Sequence, residues 1–172
     1  PDEAGTVLTS ASSIPSSQIT GSLGITMADQ WRLTTNITSN GILTALEQVD
    51  ESSFGNLGTP MSESSGVFTF PVTGIYLVTL NSFIETNGLD NVSIVIDVTI
   101  NNSSYDNYAL ASTGNDASVV DTNTSASAII DVTDTTQVKV RFNVSSLNGS
   151  SQVRGNTGRN DTYFTFIRLG DT

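Results

Sequence analysis

The sequence predicts an all-β chain, an antiparallel jelly-roll sandwich of about eight to ten strands behind an extended N-terminal arm. Three observations carry this reading. Apolar residues recur at every second position in several runs, clearest in Val92, Ile94, Ile96, Val98 and Ile100, a spacing that lines one face of a strand and would scatter around a helix. Clusters of Asn, Asp, Gly and Ser separate these runs, as in TNGLDN, TGNDAS, VTDTTQ and SSLNGSSQVRGNTGRND, and such residues supply turns. The hydrophobic fraction is 37% although only 13% of residues are charged, so Thr, Ser and Asn dilute the apolar content. Disordered chains instead combine low hydrophobicity with many ionic residues.

In chain order, residues 1–24 are Ser-, Thr-, Gly- and Ala-rich with isolated aliphatics at Val7, Leu8, Ile14, Ile19 and Leu23. They read as an arm or linker ahead of one domain over 25–172. Strands are then predicted near 29–37, 42–48, 66–70, 74–85, 91–101, 105–112, 125–132, 136–145 and 162–169. GILTALEQVD, residues 41–50, has weak helical spacing, but its β-branched and Thr-rich surroundings favour strand or irregular structure. The run 66–83, GVFTFPVTGIYLVTLNSF, is the richest in apolar and aromatic residues. There Pro71 restricts the backbone and withholds a donor, and Gly74 can take a dihedral that a Cβ opposes, so the pair marks a corner. The strand that follows has apolar residues on both faces, Tyr76, Val78 and Leu80 on one and Ile75, Leu77 and Phe83 on the other. The last strand repeats this, with Phe164 and Phe166 on one face and Tyr163, Ile167 and Leu169 on the other. One sandwich core covers only one face of a sheet, so Tyr76, Val78, Leu80, Phe83, Phe164 and Phe166 are candidates for core or subunit interface, with the assignment of faces open.

Composition excludes much chemistry. The chain has no cysteine and no histidine, which removes thiol nucleophiles, Ser-His-Asp relays and thiolate or imidazole metal sites. Asp131 with Asp134 and Asp116 with Asp121 are the acid pairs worth weighing, and both sit in turn-like text with no cationic helper. An enzyme is the weakest reading. Six Lys and Arg against 17 acids give a net charge of −11, so nucleic acid and anionic membranes are poor partners. No apolar stretch is long enough to span a bilayer as a helix. Asp and Asn oxygens of DTNTS and NGLDN could ligate calcium, but without EF-hand spacing no cofactor is assigned. Arg141, Arg154 and Arg159 form the basic concentration, suited to acids of a neighbouring subunit or to an acidic glycan. Eight N-x-S/T sequons follow from composition, and Trp31 reads as core or interface.

Phe68, Gly74 and Tyr76 stand as F-x5-G-x-Y before alternating apolar residues. With Asn56 and Met61 upstream, the hairpin text SASAIIDVTDTTQVKVRF containing Asp134, and the closing TYFTFIRLGD, the chain resembles the tumour-necrosis-factor-like jelly rolls, in particular the globular heads of the complement type. Asp50 stands where that family's pattern has Phe, and Val78 and Leu80 replace aromatics. The resemblance covers roughly 29–170 and implies a homotrimer whose central strands line a threefold interface. The segments AGTVLTSASSIP, ADQWRLTTNIT and TYFTFIRLGDT also resemble structural proteins of marine tailed phages. Together these imply a non-enzymatic virion protein on the particle surface, a capsid decoration or fibre head contacting other virion proteins. A host-glycan-binding head and a secreted adhesin module are the alternatives.

Overall fold

The period-two pattern is realised as twelve strands in a computed structural model, which describes residues 24–114 and 118–172, so the predicted arm over 1–24, all but Gly24, and Asp116 lie outside the described residues. The strands are β1 (Met27–Leu33), β2 (Gly41–Ile42), β3 (Leu46–Gln48), β4 (Ser62–Ser64), β5 (Val67–Thr69), β6 (Gly74–Thr86), β7 (Asn91–Thr99), β8 (Asp106–Gly114), β9 (Val120–Val132), β10 (Lys139–Ser145), β11 (Gln152–Val153) and β12 (Tyr163–Gly170). No helix occurs among the described residues.

Two antiparallel sheets face each other. In sheet A, β6 pairs along its whole length with β9; its other edge carries β12 and, further on, β11, and β1 and β3 follow beyond β12. Sheet B runs β4-β5-β10-β7-β8, with β2 also on β10. The expected strand over 42–48 is divided between the sheets: Gly41 and Ile42 pair with β10, whereas Leu46 to Gln48 pair with β1. The predicted strand at 125–132 begins earlier, at Val120, because β9 follows β6 as far as Thr86. DTNTS consequently lies within β9 rather than in a loop.

Between the sheets the core holds Tyr76, Val78, Leu80 and Ile84 of β6, Ile94, Ile96 and Val98 of β7, and Val140, Phe142 and Val144 of β10, all buried. Aromatic rings join the two layers. Phe68 of β5 packs edge-on to Trp31 of β1 at 5.3 Å and lies 5.0 Å from Phe166 of β12, while Phe142 of β10 stacks on Phe164 of β12 at 3.9 Å between centroids. Aromatic contacts of this kind contribute beyond their buried area, about 0.5–1.5 kcal/mol per pair.

A polar knot sits inside this core. Asp29 is 3% exposed, and its carboxylate accepts hydrogen bonds from the Trp31 indole (2.8 Å), the Gln48 amide (2.7 Å) and the Met61 backbone N–H (2.9 Å). A buried carboxylate is tolerated only when its oxygens are satisfied in this way. Trp31 is thereby fixed in orientation and packs, half-buried, against the core aromatics.

The turn before β6 follows from its residues. After Pro71, Gly74 enters β6 with φ of +146°, and a Cβ there would lie 2.5 Å from the Gly170 carbonyl oxygen and from Arg168 Nε. The β6–β12 register shifts at this point, between Arg168 and Gly170. Tyr76 then reaches back, its hydroxyl donating to the Val72 carbonyl at 2.9 Å, and burial pushes the phenol pKa up.

Candidate subunit interface

Strand pairing determines which residues share the outer face of sheet A. Directly opposed residues point the same way, so Ile129, Leu77, Ile167 and Ala28 form a row across β9, β6, β12 and β1. Beside it run Ser127, Thr79, Thr165 and Gln30, and then Ser125, Asn81, Tyr163 and Arg32. Ile75 and Leu169 extend the apolar end, with Ile129 66% and Leu169 46% exposed. The polar end is hollowed, with a depression of about 360 Å³ lined by Asn81, Asn123, Ser125, Asn160, Asp161 and Tyr163.

The faces left open by the sequence are now distinct. Tyr76, Val78, Leu80, Phe164 and Phe166 are fully buried between the sheets. Phe83 lies on the opposite face, half-buried, with the Arg154 guanidinium 5.7 Å from its ring centre. Leu77, which the sequence placed on one apolar face with Ile75 and Phe83, and Ile129, which it did not single out, are central to the outer face. The adjacent pair Ile129-Ile130 was the available signal: consecutive residues in a strand face opposite ways, so one of two isoleucines has to leave the core.

Arg32 is the feature of this face that sequence reasoning missed. It is 1% exposed and each guanidinium nitrogen meets a different carboxylate: Nε to Glu47 at 2.6 Å, Nη1 to Glu51 at 2.5 Å and Nη2 to Asp50 at 2.7 Å. The hydrogen bond from Arg32 holds the Glu51 carboxyl below its ordinary pKa. Three acids on one cation leave the group at a net −2. Glu51 Oε2 and Asn160 Oδ1 are closed to solvent with no hydrogen-bond partner among the described residues, and Asn160 is held to β1 through its amide on Gln30 at 2.6 Å.

The structure does not bring Arg141, Arg154 and Arg159 together around one loop. Arg154 pairs with Glu85 at 2.7 Å and Arg159 with Asp161 at 2.7 Å, beside sheet A, whereas Arg141 is on β10 of sheet B, paired with Asp97 at 3.2 Å. The intervening strand order separates them. Of the weighed carboxylates, Asp116, the partner considered for Asp121, lies outside the described residues, and Asp131 and Asp134 take separate places. Asp134 caps its own turn, accepting from the Thr136 N–H and hydroxyl, both at 2.7 Å, and the hydroxyl bond leads in holding its pKa down. Asp131 lies on exposed β9 opposite Ile75.

In NGLDN, Asp90 is a latch rather than an open ligand. It is 4% exposed and accepts from the Asn91 and Asn148 backbone N–H groups at 2.8 and 2.9 Å, tying the loop after β6 to the loop after β10. Burial alone would raise its pKa, but hydrogen bonds from Ser151, Asn148 and Asn91 outweigh that and lower it. A lowered folded pKa means stability that is full above the unfolded value, about 3.9, and is lost as pH falls through the folded value. Asp90→Asn is therefore expected to cost about 2 kcal/mol at pH 7. In paired thermal melts the gap from the parent should stay constant down to about pH 4 and close below it. A gap that persists unchanged at pH 2.5 would contradict the latch. Among the described residues, no group of three or more acidic side chains is placed to hold a metal ion.

Comparison with known proteins adds to this geometry. No protein-family model matches the sequence, and no curated protein sequence does. Solved structures do match. Eiger TNF from S. frugiperda superposes with a TM-score of 0.66 at 11% identity, covering 85% of this chain and 94% of that one. Murine APRIL at pH 5.0 gives 0.64 at 8% identity, and at pH 8.5 gives 0.62 at 9%, each covering 83% of this chain and 98% of the other. At such identities the likeness is one of fold. Two facing antiparallel sheets, the Gly74-x-Tyr76 strand paired on both edges within one of them and these superpositions agree on one conclusion: the chain has a jelly-roll fold like that of the TNF proteins.

Proposed function

We propose that this chain is a non-enzymatic structural module that assembles as a homotrimer through the outer face of sheet A. The apolar row Ile129, Leu77, Ile167 and Ala28 carries the reading. A four-strand apolar row in which Ile129 is exposed and Leu77, Ile167 and Ala28 are half-buried, on a chain of net charge −11, is unusual, and a subunit interface is the ordinary way to cover it.

The full chain at micromolar concentration is expected to sediment as a trimer. Leu77→Asp with Ile129→Asp should give a monomer that keeps its β-type circular dichroism and cooperative melt, because both side chains lie outside the core. A parent chain found only as a monomer would overturn the proposal.

The particle context is a virion surface, where the module serves as capsid decoration or fibre head, with residues 1–24 as the attachment to other virion proteins. The resemblance of the terminal segments to tailed-phage structural proteins supports it. Tracing this chain into the density of an intact particle tests it, and the copy number separates decoration from fibre head. A host-surface carbohydrate-binding head is the second reading, favoured by the arrangement around Arg141 on the other sheet.

A further inference from the structure

Among the described residues, one cation on the outer face of sheet B, Arg141, keeps two nitrogens without a hydrogen-bond partner. Arg32 has all its nitrogens on carboxylates, Arg159 is forked onto Asp161, Arg168 bonds Thr73, Thr26 and Asp171, and Lys139 bonds Thr69 and the Thr135 carbonyl; Arg154, beside sheet A, gives Nη1 to Glu85 and lies 5.7 Å from the Phe83 ring centre, too far for close stacking. Arg141 differs. Its Nε is taken by Asp97, which is itself 2% exposed and held from the other side by the Asn107 amide. One face of its guanidinium is covered by the Tyr105 ring, 3.8 Å from the ring centre. What remains is the edge carrying Nη1 and Nη2, fixed in direction by a buried acid and an aromatic ring, in a side chain 25% exposed.

The surroundings of that edge are specific. Strand register places Asn143, Val95 and Leu110 in the next row of the same face, Leu110 being 57% exposed. A planar fork, an amide and an apolar ledge in adjacent rows match a pyranose that carries a carboxylate: the fork takes the carboxylate in bidentate fashion, the amide meets ring hydroxyls and the ledge meets the apolar ring face. Asp97 directly beside the fork, on a strongly acidic chain, disfavours ligands of higher negative charge such as sulfate or phosphate.

We propose that Arg141, with Tyr105, Asp97, Asn143 and Leu110, forms a binding site for a uronic-acid sugar. It gives the carbohydrate-binding reading its residues and its sugar class, and it rests on the fold of sheet B, not on the oligomeric state, since it lies on the sheet opposite the proposed interface.

The test is an NMR titration of the full chain with sodium glucuronate, with glucose and sodium sulfate as parallel probes, sedimentation being recorded on the same samples. Glucuronate should give saturable shifts of the Arg141 Nε–H signal and of amides in β7, β8 and β10, while glucose and sulfate leave them unmoved. Arg141→Lys retains the charge without the fork and should weaken glucuronate at least tenfold. Because changes at Arg141 could loosen the sheet, Leu110→Asp provides a second variant at an exposed position, expected to abolish binding with the melt unchanged. Absence of saturation with glucuronate, an equal response to sulfate, or undiminished binding by Arg141→Lys and Leu110→Asp would each overturn the site. A failure to trimerise in samples that still bind would overturn only the assembly reading.

Discussion

Phe68→Ala is expected to lower the melting temperature by about 12 °C, corresponding to about 4 kcal/mol for a domain of this size. Phe68 is fully buried and touches rings from both sheets: Trp31, Phe164 and Phe166 in sheet A, and Phe142 in its own. Truncation removes the transfer energy of one large side chain, leaves a cavity among rings that cannot collapse freely, and removes edge-to-face contacts at the same time. Phe54→Ala is the matched control. That ring is 49% exposed, and its loss should shift the melt by less than about 3 °C. Both melts need equal protein concentration, since association alters apparent stability. Equal effects of the two changes would show that Phe68 does not join the sheets.

Gly74→Val should cost about 3 kcal/mol or more, through two separable causes. The backbone there, with φ of +146°, is open to glycine and strained for any residue with a Cβ. The space is also filled, with the Gly170 carbonyl oxygen 2.5 Å from where a Cβ would stand. That oxygen belongs to backbone on the neighbouring strand, so relief requires β12 to move. Gly88→Ala isolates the first cause, because Gly88 has φ of +77° and open space, with no atom within 4 Å of where its Cβ would stand; it should cost about 1 kcal/mol. Chemical denaturation of the two variants reads the difference, and a Gly74 variant no worse than the Gly88 variant would show that β12 yields.

The long strands were legible because β6, β10 and β12 each bury one alternating apolar set, and β7 buries Val92, Ile94, Ile96 and Val98 likewise although Val95, Asp97 and Thr99 between them are also covered, a pattern sequence carries directly. The short β4 and β11 were not, since SES and QV are held by pairing with β5 and β6 and not by any pattern of their own. The division of 42–48 between two sheets was invisible for a similar reason: partners, not periodicity, decide which sheet a two- or three-residue strand joins. For the candidate interface, the sequence showed that β6 and β12 have apolar residues on both faces. It could not rank the faces, because Ile75, Leu77 and Phe83 are as apolar as Tyr76, Val78 and Leu80; burial follows from where sheet B lies. Arg32 was missed because a lone arginine in a strand reads as surface. The acids at Glu47, Asp50 and Glu51 in the nearby EQVDE run were the available hint that the charge could be neutralised inside the fold.

The pairing of β1 with β12 places Gln30 beside Thr165, partners 135 residues apart. Local contacts are therefore scarce, and folding has to close long loops before most of the core can form, which puts it in the slow, millisecond-to-second class of β-proteins. During synthesis β1 has no partner on that edge, and β6 has no β12, until residue 170 has left the ribosome. For that interval the Leu77 row and the aromatic core are both uncovered. A cell making many copies at once consequently faces competition between intramolecular closure and association of unfinished chains, and the abundant Asp, Asn, Ser and Thr of β9 serve as protection along the longest edge exposed to that competition.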